Sequence, residues 1–125
     1  SDVNLSGANL SRADLSRADL SRADLSDVPV IAKIHSAVYH AASAPNALDM
    51  GAWHTCKTTH CRAGWVVALA GAAGAAMEFC IGTPAAAAMI YMASDRTLEK
   101  IPNFYASNAE SLADMKRLAE KETAK

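Results

Sequence analysis

Val3-Asn4-Leu5-Ser6-Gly7, Ala8-Asn9-Leu10-Ser11-Arg12, Ala13-Asp14-Leu15-Ser16-Arg17, Ala18-Asp19-Leu20-Ser21-Arg22 and Ala23-Asp24-Leu25-Ser26-Asp27 are one five-residue phrase written five times. A period of five fits neither regular element. Around an α-helix each fifth residue lands about 140° beyond the last, so the leucines would scatter over every side. In a strand they would alternate between faces. Leu5, Leu10, Leu15, Leu20 and Leu25 share one interior only if the backbone turns a corner in every phrase, which is the geometry of a solenoid. Such a backbone presents flat, repetitive surfaces and builds no pocket of its own.

The phrase resembles the pentapeptide-repeat family, whose pattern is Ala-(Asp/Asn)-Leu-X-X. That resemblance implies a short right-handed quadrilateral β-helix, four phrases to a square turn, with the central Leu and the small residue two before it pointing inward. The inward set is then the five leucines with Val3, Ala8, Ala13, Ala18 and Ala23, and Val28-Pro29-Val30 continues the spacing for half a phrase. Five phrases make little more than one turn, and stacked repeats need about three units to hold. The stub therefore calls for a cap from the rest of the chain, a second copy, or more of its own kind. The chain opens mid-pattern at Ser1-Asp2, which points to a stretch of a longer solenoid.

The expected domains are the repeat stub over 1–29 and an all-α helical domain over 30–125. The whole chain of 125 residues can bury roughly 65% of its unfolded surface. A net charge of −1 lacks the basic footprint of a non-specific nucleic-acid binder. Within the repeats Asp2, Asp14, Asp19, Asp24 and Asp27 stand against Arg12, Arg17 and Arg22, too even a balance to demand a charged partner. No apolar run reaches the 18 or so residues of a membrane span, and no basic leader precedes an apolar segment. These features place the chain in the cytoplasm, with a protein partner or self-association and no nucleic acid or membrane.

After Val30 the period changes. Ile31, Ile34, Val38 and Ala41 mark a helix over 30–43, between Pro29 and Pro45, placed to plug the solenoid's open end. His35 and His40 lie on it as structural residues. Residues 44–57 read as an irregular connection. A helix capped by Thr58 or Thr59 then runs through Cys61 to Gly71 or Gly74, with a small column at Cys61, Gly64 and Ala68 and a core-filling column at Trp65 and Leu69. A short helix over 75–81 places Cys80 in the core. Thr83 caps the next helix with Pro84 at its first position and Met89, Ile90 and Met92 as bulk. Asp95 to Tyr105 is a loop. Ser107-Asn108-Ala109-Glu110 is a capping box opening a last helix to about Glu122, its apolar face built from Leu112, Met115, Leu118 and Ala119.

Chemistry concentrates in Trp53-His54-Thr55-Cys56-Lys57-Thr58-Thr59-His60-Cys61-Arg62-Ala63-Gly64-Trp65, which packs two Cys, two His and two Trp into thirteen residues. Three readings compete. Zinc would use His54, Cys56, His60 and Cys61, but the five-residue step between the cysteines is not knuckle spacing. A nucleophilic Cys61 at a helix start, with His54 or His60 as base, is similar to papain-like enzymes, yet the Cys-Gly-Ser-Cys-Trp pattern and a downstream His are missing. The third reading is architectural: Cys56 and Cys61 pair as a disulfide or pack beside Trp53 and Trp65. The Cys-x4-Cys-x-Ala-Gly-Trp block resembles segments of small bacterial and phage proteins of unknown function, some of them carrying pentapeptide repeats.

The architectural reading leads, with no catalytic residue, metal or cofactor assigned. It makes the chain a non-catalytic structural or protein–protein interaction module. The alternatives are a thiol- or zinc-dependent site at Cys56, Cys61, His54 and His60, and a DNA mimic that binds type II topoisomerases. The last is a role of some pentapeptide-repeat proteins and needs a long acidic solenoid, which Arg12, Arg17 and Arg22 interrupt. The inward assignment has a direct check in thermal unfolding followed by circular dichroism. Leu15→Asp is expected to cost several kcal/mol, because a buried charge loses its hydration. Arg17→Ala is expected to stay within about 0.5 kcal/mol of the parent; a large loss there would contradict an outward Arg17.

Overall fold

A computed structural model describes residues 27–124, so the repeat phrases of 1–26, with Leu5 to Leu25 and Val3 to Ala23, lie outside the described residues. The described residues form five helices and one small hairpin: α1 (Ile34–Ala42), β1 (His54–Cys56), β2 (Thr59–His60), α2 (Arg62–Leu69), α3 (Gly71–Ile81), α4 (Thr83–Ser94) and α5 (Asn108–Thr123). The hairpin departs from the all-α expectation. Among the described residues no helix is long and apolar enough to cross a membrane.

Helix α1 starts four residues later than its periodicity predicts. Lys33 takes a left-handed conformation (φ 49°) and gives no side-chain cap, and the Ile31 amide is spent on Ser94 Oγ at 2.9 Å. The free amides of a first turn still need acceptors. They find them far away in sequence: Glu122 of α5 takes the amides of Ser36 (2.9 Å) and His35 (3.3 Å). A carboxylate at a helix N-terminus also meets the positive end of the helix dipole. One side chain thus fixes the pairing of the first and last helices. The apolar stripe of Ile34, Val38 and Ala42 is spent on the helical core. Val28 and Ile31 pack against the same core, whereas Val30 is exposed.

The connection before α2 is more ordered than its composition announces. β1 pairs antiparallel with β2, His54 opposite His60 and Cys56 opposite Thr59, with an irregularity between. The His60 backbone is tied a second time, donating to the Ala47 carbonyl and accepting from the Asp49 amide, both at 3.1 Å. Thr55 and Thr59 are the β-branched residues that suit such a ribbon.

Helix α4 is the centre. Ala85, Ala86, Ala87 and Ala88 are all fully buried, and the bulk comes from Ile90 and Tyr91 instead of Met89 and Met92, which are only half-buried. Alanine adds little area but lets neighbouring helices approach, and α2 and α3 both pack on α4. Gly82 (φ 91°) makes the corner between α3 and α4, so Thr83 is the first helical residue and not the cap. Gly71 (φ 70°) ends α2 in the left-handed conformation that closes many helices, and α3 begins there. The capping box at Ser107 and Glu110 forms as expected. The long loop after α4 is not idle, since Leu98, Ile101 and Phe104 enter the core.

The most demanding buried group is Arg62, 1% exposed. Its Nε donates to Tyr91 Oη at 3.1 Å and its Nη1 to Asp114 Oδ2 at 2.6 Å, and its guanidinium lies 5.6 Å from the Tyr91 ring centre. Arg117 grips the other Asp114 oxygen at 2.7 Å. Burial works against the Asp114 charge, but the two arginines outweigh it and hold the carboxyl below its usual range. The amides of Ser36 and His35 likewise prevail over burial at Glu122, and Thr97 and His35 do so at Asp95.

These depressed carboxylates give the fold an acid limb. A carboxyl group with a lowered folded-state pKa stabilises fully above its unfolded value, near pH 4, and that stability is lost as pH falls through the folded value. Glu122→Gln is expected to cost about 1 kcal/mol at neutral pH, the size of a lost helix cap. It should also flatten the decline of melting temperature below pH 4, as scanning calorimetry across pH 2–7 would show.

Candidate functional site

The Cys/His/Trp block folds into the hairpin and the first turn of α2, and α2 reaches it because Gly64 has no side chain. A Cβ there would sit 1.9 Å from the Trp53 carbonyl oxygen. The close approach sets the His60 ring edge-on to Trp65, with centroids 4.6 Å apart, and Trp65 Nε1 donates to the Ala47 carbonyl at 2.7 Å. Trp53 lies outside this group and meets Tyr105 edge-on at 5.7 Å.

Four side chains then form a line. Thr83 Oγ1 donates to Glu78 Oε2 at 2.7 Å, and the same oxygen is 2.6 Å from His54 Nε2. His54 Nδ1 faces His60 Nδ1 at 2.8 Å, and His60 Nε2 reaches the Lys57 carbonyl at 3.0 Å. Burial, with His54 next to it, pushes the His60 pKa below its ordinary value. His60 is buried while His54 keeps 35% of its side-chain surface in solvent, so the line runs from the interior to an open edge.

The two cysteines part company. Cys61, not Thr58 or Thr59, caps α2: its Sγ accepts the Gly64 amide at 3.3 Å. The nucleophile reading expects the helix start to lower this thiol's pKa. Burial wins, and the pKa is raised. Cys56 lies exposed at the hairpin turn, 3.5 Å from Thr58 Oγ1. Hydrogen bonds from Thr58 and then Thr59 bring its pKa down to about 7. Both are free thiols, so the disulfide expected as one option is not formed. Cys80 is exposed, not in the core, and Ala68 and Leu69 are exposed as well. Among the described residues no group of three or more His, Cys, Asp and Glu is gathered for a metal ion.

Of the four residues singled out for metal or thiol chemistry, the structure joins His54 and His60 directly and leaves Cys56 on the outer turn. Glu78 and Thr83 complete the line without having been singled out. Glu78 carries a sequence signal even so, being the lone charge in Gly-Ala-Ala-Gly-Ala-Ala-Met-Glu-Phe-Cys-Ile. His35 also proves more engaged than a surface helix residue. It is buried, holds Asp95 Oδ2 at 2.8 Å through Nε2 and stacks on Tyr91.

A family model described as pentapeptide repeats (8 copies) matches residues 1–28. The opening segment is a pentapeptide-repeat stretch. No curated protein and no solved structure matches the chain.

Two measurements check that geometry. Gly64→Ala is expected to displace the hairpin or cost about 1–3 kcal/mol, the usual range for overpacking, seen as a lowered melting temperature. Iodoacetamide labelling followed by mass spectrometry should show Cys56 alkylation rising through pH 7 as its thiolate forms, while Cys61 stays unlabelled in the folded protein. Equal labelling of both would contradict the capping role of Cys61.

Proposed function

We propose that the chain is a non-catalytic interaction module, in which a helical domain over 30–125 follows the pentapeptide repeats and meets a protein partner through α3. One observation carries this reading. Gly74 is the sole buried residue of α3, while Phe79 is 92% exposed and Ala72, Ala73, Ala75, Ala76 and Cys80 are exposed beside it. A helix that is apolar all round is normally covered on every side. A contiguous exposed apolar patch marks an interaction surface in a folded protein. The single charge of the helix, Glu78, is engaged by His54 and leaves this face uncharged.

Catalysis has weaker support. The thiol with the lowered pKa, Cys56, takes its hydrogen bonds from threonines and so gains no base to carry its proton. Cys61 is occupied as a helix cap. The DNA-mimic alternative still requires a long acidic face, which the repeat arginines interrupt.

Self-association through α3 is the form of partnership that can be tested with the protein alone. Sedimentation velocity over a hundredfold concentration range is expected to show the chain heavier than a monomer, and Phe79→Glu to return it to monomer with unchanged circular dichroism. A parent chain that stays monomeric and cannot be told apart from Phe79→Glu would count against this use of the face.

A further inference from the structure

We propose that His54 and His60 form a two-histidine site for a borderline divalent transition-metal ion such as Zn²⁺ or Cu²⁺. The outer partners of the two rings fix where the ring protons lie. Glu78 Oε2 accepts from Thr83 Oγ1, so it is an acceptor, and His54 Nε2 at 2.6 Å donates to it. The Lys57 carbonyl can only accept, so His60 Nε2 at 3.0 Å donates as well. With both outer nitrogens protonated, the two neutral rings point their Nδ1 lone pairs at each other across 2.8 Å. Two lone pairs at that distance repel. Something electropositive has to lie between them, either one extra proton or a metal ion.

The surroundings are those a metal would require. A ligating imidazole typically donates its other N–H to a carboxylate or a backbone carbonyl, which fixes the tautomer and makes the ring a better donor. His54 has the carboxylate and His60 the carbonyl. The rings stand at 86°, with centroids 4.8 Å apart. Two Zn–N bonds of about 2.05 Å at a tetrahedral angle separate the nitrogens by about 3.4 Å. The gap has to open by about half an ångström, and His54 is on the solvent edge where it can move. Imidazole selects Zn²⁺, Cu²⁺ or Ni²⁺ over Mg²⁺ or Ca²⁺.

The chain supplies two donors and solvent completes the shell on the open side of His54. The cysteines are not recruited, because Cys61 Sγ holds the Gly64 amide and Cys56 Sγ lies against Thr58. Where the shared proton occupies the gap, metal entry releases it to solvent, so affinity rises with pH. The proposal draws on Glu78 of α3 but on none of the exposed apolar residues of that helix.

Isothermal titration of the full chain with Zn²⁺ and with Cu²⁺ at pH 7.5 tests it. One equivalent is expected to bind in the micromolar range, with nitrogen hyperfine structure in the Cu²⁺ paramagnetic resonance spectrum and no binding of Mg²⁺. His54→Ala, at an exposed position that leaves the fold intact by circular dichroism, should weaken binding at least tenfold. Glu78→Gln should weaken it about tenfold, the lower bound for loss of an outer-shell partner. Cys56→Ser should bind as the parent does. No saturable binding, unchanged binding by His54→Ala, or loss of binding in Cys56→Ser would each overturn the site.

Discussion

The approach of α2 to the Trp53 carbonyl at Gly64 is the constraint on which the rest of the site depends. Only a residue without a side chain permits it. It lets Cys61 close the first turn of α2 and sets the His60 ring against Trp65. With β2 held there, β1 carries His54 to the edge of α3, where Glu78 meets it. Four elements therefore converge on one line of hydrogen bonds, although neither α3 nor α4 packs extensively against the hairpin. A short ribbon of five residues has little stability of its own. Its position is enforced by the backbone bonds of His60 to Ala47 and Asp49 and by the helix beneath it.

Local rules carry a sequence reading furthest where one segment decides its own structure. The capping box at Ser107, Pro84 in the first turn of α4 and the five-residue phrase of the repeats are all signals of this kind. They fail where the partner lies far along the chain. The periodicity of α1 includes Ile31 and so implies too early a start, while the true first turn is set by Glu122, 86 residues on from Ser36. Thr58 and Thr59 look like better caps than Cys61, because a thiol is a weak acceptor. The position is chosen by the β-pairing of Thr59 and His60, which keeps those residues extended. His54 and His60 are legible as a pair. Glu78 does not join them in the sequence, because nothing there tells which face of α3 turns toward the hairpin.

Alanine explains why the core is hard to read in advance. Ala85 to Ala88 look like helix-forming filler, with the methionines as bulk, whereas these four residues are the interior of α4. Packing of this kind works by proximity more than by area: small side chains bring backbones together, and each helix then holds its neighbours through few large groups. Tyr91 is the main one, touching His35, Phe104 and the Arg62 guanidinium. A core with so little bulk leaves more of its specification to polar ties. The pairs Arg62–Asp114, His35–Asp95 and Glu122 with the first turn of α1 each join elements distant in sequence.

The same economy separates α3 from its neighbours. In α4 the alanines are buried because α2 and α3 cover them, while in α3 most of the alanines and Phe79 lie outside. The two helices have similar apolar composition, so composition does not decide which is inside. Position in the chain does: α4 leaves α3 through the tight corner at Gly82 and fills the space between α2 and the loop residues Leu98, Ile101 and Phe104. Helix α3 is then left on the rim, attached through Gly74 against α2 and through Glu78 to His54 and Thr83. The lone acid of α3 is therefore more than an oddity of composition. It orients the helix so that the polar edge faces the histidines and the uncharged side faces out, which ties the geometry of the histidine line to the exposure of Phe79.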